Sequence, residues 1–189
     1  MSTSLLVNSK IPLVERTLVD VIGPRLKVLF CGLNPGLGAA IAGHHFHNNS
    51  NRFWRVLHLA GFTSELIASV DDTTLLSHGY GLTTVAPRAT RGAAEVTPEE
   101  YRLAGSTFRE KVERFRPAYV TFLGKAAYLT LSGKRDVAWG LQEATFVGVR
   151  VWILPNPSGL NRGFTLDALV DAYTPLRIAA NAERPPGQL

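Results

Sequence analysis

The sequence predicts a three-layer α/β/α domain with a mainly parallel central sheet, and three observations carry that prediction. Short apolar runs rich in β-branched and aromatic residues alternate with amphipathic stretches along the 189 residues. Two of those runs, far apart in the chain, end in Asn-Pro turns that neither a strand nor a helix can continue. With 46% hydrophobic and 19% charged residues, the composition is that of a folded unit able to bury its own core. A single domain over 1–189 is expected, its core at about 11–179, with loose tails at 1–10 and 180–189.

Taken in order, Leu13 to Ile22 has apolar residues at helical spacing, and Gly23-Pro24 closes it. Leu26 to Cys31 reads as a buried strand ending in Gly-Leu-Asn-Pro-Gly. Asn51 is placed to cap a helix through about Ala60, with Phe53, Trp54, Leu57 and Leu59 partly inward. Tyr80 to Val85 is a second strand. Thr97-Pro98-Glu99-Glu100 combines a cap, a first-turn proline and two acids at the positive helix end, predicting a helix to about Phe115. Ala118 to Leu123 is a further buried strand, followed by Gly124 and a helix to about Leu131. Val149 to Leu154, entered from Phe146-Val147-Gly148, is the last clear strand. Thr165 caps a final helix to about Ala179, with Asp167 in its first turn.

The formal net charge of +5 suggests a polyanionic partner, and the distribution strengthens it. No Asp or Glu occurs from Val21 to Ser64, Thr73 to Ala94, or Ala144 to Leu166. Those stretches carry Arg25, Lys27, Arg52, Arg55, Arg88, Arg91, Arg150 and Arg162, and would form one positive face if they met in space. Cys31, the only cysteine, rules out a disulfide framework and any iron–sulfur or multi-thiolate zinc centre, and reads as core packing. No apolar run reaches the roughly 18 residues of a membrane span, and a cytoplasmic, monomeric protein is expected. His44, His45 and His47 invite a metal, but no thiolate or carboxylate lies nearby to complete a site, so none is expected.

In open parallel sheets, ligands bind beyond the carboxyl ends of the strands. There stand Asn34-Pro35-Gly36 and Asn156-Pro157-Ser158-Gly159. An asparagine before proline is held extended, so its amide can point away from the chain, and the glycines let backbone N–H groups come close to a ligand.

Four segments, Gly32-Leu33-Asn34-Pro35-Gly36-Leu37, Gly43-His44-His45-Phe46, Asn51-Arg52-Phe53-Trp54 and Asn156-Pro157-Ser158-Gly159-Leu160-Asn161-Arg162, stand in family order and spacing. Together they resemble the mismatch-specific uracil-DNA glycosylase and thymine-DNA glycosylase family (family-2 uracil-DNA glycosylases), over roughly Arg25 to Tyr173. The resemblance implies a monofunctional, cofactor-free glycosylase whose partner is double-stranded DNA with uracil, or another pyrimidine, mispaired with guanine. Such an enzyme must extrude its target nucleotide before reacting.

By the same resemblance, Asn34 would position the attacking water. Leu33, Gly36 and Phe46 would line the base pocket, with the Phe46 ring stacked on the base. Leu160 would fill the gap left by the flipped base. Gly159 and Asn161 would read the widowed guanine, Arg162 would support the insertion loop or a phosphate, and Asn156 and Ser158 would bind flanking phosphates. Lys125 is a candidate further phosphate contact. His45 is expected beside the base, as a protonated imidazole favouring departure of an anionic pyrimidine or else as a polar rim residue. The acid that some relatives carry before Glu-Val is replaced by Ala93-Ala94, leaving Glu95 as the nearest carboxylate. Gly38, Ala39 and Ala40 give a wall without a hydroxyl.

Two competing classes share parts of this pattern: a mismatch-binding module without chemistry, and an enzyme on free nucleosides. A zinc deaminase would need H-x-E and C-x-x-C, and a nucleoside triphosphatase a glycine-rich approach to Gly124-Lys125; both are missing.

Overall fold

The computed structural model describes residues 17–182. Five strands form one sheet in the order β2-β1-β3-β5-β4: β1 Val28–Gly32, β2 Tyr80–Thr84, β3 Tyr119–Leu123, β4 Gly140–Phe146 and β5 Val149–Leu154. The first three and β5 run parallel, and β4 lies antiparallel against β5. Five α-helices accompany them: α1 Leu37–Ala42, α2 Phe53–Leu59, α3 Pro98–Phe115, α4 Lys125–Ser132 and α5 Leu166–Ala182. Between α2 and β2 lies a 3₁₀ segment, Ser69–His78. The three-layer fold expected from the sequence is the one observed.

Alternation along β1 shows how the layers form. Val28 and Phe30 face one side, packing with Phe53, Leu57, Tyr173 and Leu176 of α2 and α5. Leu29 and Cys31 face the other, against Phe108 and Val112 of α3 and Tyr128 of α4. A strand covered on both faces is apolar at nearly every position, which is why β1, β3 and β5 are legible as largely apolar runs, interrupted by the buried Thr121 in β3 and the exposed Arg150 in β5. Burial pushes the Cys31 thiol well above its ordinary range, in keeping with a packing role.

Residues 13–16 of the helix expected at Leu13 to Ile22 lie outside the described residues. The described remainder is not helical. Val21 instead exchanges backbone hydrogen bonds with Leu82 at 2.9 and 2.7 Å, joining the free edge of β2. Pairing with an open strand edge outweighs a weak helical period here. The expected loose tail from Ala180 also needs correction, because α5 continues to Ala182 and Ala180 is buried in the core. Strand β4, helix α1 and the 3₁₀ segment had no counterpart in the sequence reading.

Candidate active site

The parallel strands all end on the same side of the sheet, so the loops after β1, β2 and β5 meet there around a cleft of about 220 Å³. Its floor lies at Gly32, Leu33 and Leu123, at the point where the chain leaves β1 for β2 on one side and β3 on the other. Among the described residues, no Asp or Glu lines it. The three acid-free stretches therefore do converge.

They do not bring all their cations with them. Lys27 precedes β1 and Arg150 stands near the start of β5, at the opposite edge of the sheet. Arg91 is exposed and lines the cleft, and Arg162 is exposed in the loop after β5. The expected single positive face is divided, because strand polarity puts residues before and after a strand about five residues apart at opposite ends.

Asn34 is held by its neighbours. Its Nδ2 donates to the Pro35 and Arg88 carbonyls, each at 3.0 Å, and to Thr90 Oγ1 at 2.7 Å. The Thr90 hydroxyl donates to the Gly92 carbonyl at 2.9 Å, so its lone pair faces the amide. Three acceptors around one corner of the amide fix which atom is nitrogen. Among the described residues nothing donates to Oδ1, which is left for a ligand in the cleft that Asn34 lines. Backbone bonds stitch the same two loops together: Thr90 donates to Pro35 and Leu37 to Thr90, at 3.0 and 3.1 Å.

Arg88 anchors the far loop, donating to the Glu95 carbonyl at 2.8 Å and pairing in bidentate fashion with Glu100. Glu100 also closes the capping box with Thr97 at the start of α3, and together these bonds pull its carboxyl down to about 2. Thr90 was not singled out from the sequence, and Arg88 was read only as one of the cations of the acid-free stretches. Glu95, the nearest carboxylate, accepts the Gly92 N–H at 3.1 Å and caps its own turn.

Leu33, Gly36, His45 and Phe46 all line the cleft, as expected. Phe46 is half-buried and its ring stacks on that of Phe53, centroids 3.9 Å apart and 22° from parallel. Its φ of +56° is unusual for a non-glycine residue, and the next segment shows what holds it. The His45 N–H donates to the buried Asp72 carboxylate at 2.9 Å, and the Trp54 indole donates to the His45 carbonyl at 3.3 Å. A Cβ on Gly36 would meet nothing within 4 Å, so that position is open toward the cleft and the rim.

His45 is neither a rim residue nor well placed to carry charge. It is 1% exposed, with Nε2 3.0 Å from the Val19 carbonyl. Burial lowers its pKa below the ordinary histidine value, against smaller opposing contributions from the Val19 carbonyl and Asp72. The neutral imidazole therefore prevails at neutral pH, correcting the expectation of a protonated ring. Because the folded-state pKa lies below the unfolded one, stability from this group is present above pH 6.5 and declines as pH falls below it. The urea midpoint is expected to drop on acidification from pH 7 to pH 5, and the drop to shrink in His45→Gln.

The three histidines have different partners: His44 Nδ1 lies 3.5 Å from Asp72, His45 Nε2 faces the Val19 carbonyl, and His47 Nδ1 is 2.8 Å from Ser69 Oγ. Among the described residues no group of three or more His, Cys, Asp or Glu is arranged to hold a metal.

The opposite wall is the loop after β5. Asn156, Ser158, Gly159 and Leu160 line the cleft, and Leu160 is 73% exposed at its edge. Leu160 faces the Arg91-Gly92 turn across the opening: a Cβ on Gly92 would sit 3.6 Å from Leu160 Cδ1. Asn156 does not project its amide oxygen outward as Asn34 does. Its Oδ1 accepts the Ser158 N–H at 2.9 Å, and its carbonyl accepts from Asn161 Nδ2 at 2.9 Å. Ser158 Oγ accepts the Leu160 N–H at 3.3 Å. Asn156, Ser158 and Asn161 thus also shape the loop itself, while the Asn156 amide nitrogen and the Ser158 hydroxyl proton make no bond of their own among the described residues.

Arg162 is exposed and the support expected of it comes from elsewhere. Arg52 donates to the Pro157 carbonyl at 3.3 Å, to Ser158 and Asn161 carbonyls at 2.9 Å each, and to that of Phe164. Lys125 is displaced from the expected role altogether. Its ammonium lies 3.1 Å from Asp136 and 5.0 Å above the Trp139 ring, and it does not line the cleft.

A solved solution structure from Methanosarcina acetivorans, described as a "putative Uracil DNA glycosylase", shares this fold. The TM-score is 0.61 at 20% identity, over 86% of this chain and 96% of that one. The sequence model of the Uracil DNA glycosylase superfamily matches residues 19–177. That span takes in every strand, both Asn-Pro loops and the cleft between them, and the chain belongs to the uracil DNA glycosylase superfamily.

Proposed function

We propose that this protein is a monofunctional DNA glycosylase that flips uracil mispaired with guanine out of duplex DNA and hydrolyses its N-glycosidic bond, leaving an abasic site. The observation that carries the reading is Asn34, its amide nitrogen locked by three acceptors within an acid-free cleft. An amide cannot take a proton as a general base, so bond breaking must run ahead of water attack. The C1′–N1 electron pair leaves with the base as an anion, the sugar gains cationic character, and a water aligned on Asn34 Oδ1 then forms the new C1′–O bond and gives up its proton to the departed base anion, directly or through solvent. Positioning and backbone electrostatics supply the rate. A wall carrying Gly38 and Ala39 supports acceptance of 5-substituted pyrimidines as well.

The exposed Leu160 is the candidate wedge. Leu160→Ala removes a side chain with little buried area, so the thermal midpoint is expected to stay within about 1 °C. The single-turnover rate on duplex substrate should fall about tenfold, with DNA binding weakened less. Unchanged rates in the variant would remove the wedge role.

The function is tested by single-turnover assays on a duplex with one G·U pair, beside A·U, G·T and single-stranded uracil. Alkali-labile product from G·U at the highest rate supports the proposal. Preferential binding of G·U without product from any substrate supports a mismatch-binding module instead, and turnover of free nucleosides a nucleoside-directed enzyme. The protein is proposed to act as a monomer in the cytoplasm.

A further inference from the structure

We infer that Arg52 sets the preference for mispaired over paired uracil by holding the insertion loop in its working shape; the inference rests on the proposed glycosylase reading. Four carbonyls of one loop, those of Pro157, Ser158, Asn161 and Phe164, converge on this single guanidinium. The Arg52 backbone N–H adds a bond to the Pro157 carbonyl at 3.0 Å. All the side-chain acceptors are neutral, and all lie more than 100 residues away in sequence.

Only a planar, many-donor cation can bind carbonyls on several sides at once, whereas a lysine ammonium offers a single point on a flexible stem. Gathering these carbonyls inward fixes the curvature of residues 157–164 and leaves Leu160 at the crest. The turn bearing Arg52 reinforces the hold. Gly159 packs so closely on Ser50 that a Cβ would lie 2.6 Å from its backbone oxygen. Tyr173 secures the loop's base, its hydroxyl donating to the Pro155 carbonyl at 3.0 Å.

Arg52 does not line the cleft. It is a positioning residue that acts through the loop, so its loss should be felt where the loop must meet the opposite strand. Guanine opposite uracil is recognised there, whereas the chemistry at Asn34 is common to G·U and A·U.

The test measures Arg52→Gln and Arg52→Lys under enzyme excess on G·U and A·U duplexes. The G·U rate is expected to fall about tenfold to a hundredfold and the A·U rate much less, so their ratio collapses. The ratio is independent of the fraction of enzyme correctly folded. A ratio preserved in both variants overturns the inference. Binding separates this inference from the glycosylase reading. With a duplex carrying a stable abasic analogue opposite guanine, Arg52→Gln should lose the preference for that duplex over an undamaged one. If wild type cuts no uracil substrate, the glycosylase reading fails while this preference still decides on Arg52, and its retention overturns the inference.

Discussion

Replacing Asn34 by alanine is expected to lower the single-turnover rate on G·U duplex by about 10²–10³-fold, the scale of losing a principal transition-state group. Affinity for the same duplex should change by less than about threefold, because Asn34 sits inside the cleft rather than on its DNA-facing rim. The deletion also strands Thr90 Oγ1 and two carbonyls that now accept from Nδ2. A stability loss of about 1–2 kcal/mol is expected from those groups, readable as a lower urea midpoint. Rates equal to wild type would remove Asn34 from the mechanism.

Gly159→Ala should be the most damaging single methyl group in the insertion loop. The added Cβ would stand 2.6 Å from Ser50 Cβ, Oγ and the Ser50 backbone oxygen. A side chain can rotate away, but a backbone oxygen moves only with its chain. Either the loop lifts or the 48–52 turn shifts, and both displace Leu160. A cost of about 1–3 kcal/mol is expected from overpacking, with duplex activity reduced at least tenfold. Gly163→Ala serves as the control: its Cβ would meet only Asn161 Oδ1, at an ordinary 3.5 Å. Comparable losses in the two variants would show that the Ser50 contact is not what constrains the loop.

What could be read from the sequence follows from how each element is stabilised. Strands β1, β3 and β5 are covered on both faces and are apolar at all positions but Thr121 and Arg150. Helix α3 announces itself through Thr97 and Glu100, whose capping box is local in sequence. Strand β4 was hidden because most of it is exposed or half-exposed, and its turn into β5 is Val147-Gly148 rather than Asn-Gly. Val147 takes φ +47° and Gly148 +77°, the turn geometry that asparagine usually signals.

The site divides in the same way. Asn34 and Leu160 stand out through the motifs around them. The asymmetry between Asn34 and Asn156 did not, since the direction of each amide depends on partners beyond its own loop: Arg88 and Thr90 for one, Asn161 for the other. Arg52 was visible within its motif but not its role, because all its acceptors lie in a segment the chain reaches only after building the whole sheet. His45 changed most, since a histidine's charge depends on burial, which spacing does not report.

Strand β4 also bears on how copies of this protein behave in a crowded solution. Among the described residues it is the last strand of the sheet, the kind of edge onto which a foreign strand can zip. Leu141, 53% exposed, would favour such pairing. The register between β4 and β5 slips between Leu141 and Thr145, however, and Gln142 and Glu143 occupy the interval. An incoming strand would find an interrupted ladder with a charged side chain at the break. The register slip thus guards this edge against sheet-to-sheet aggregation.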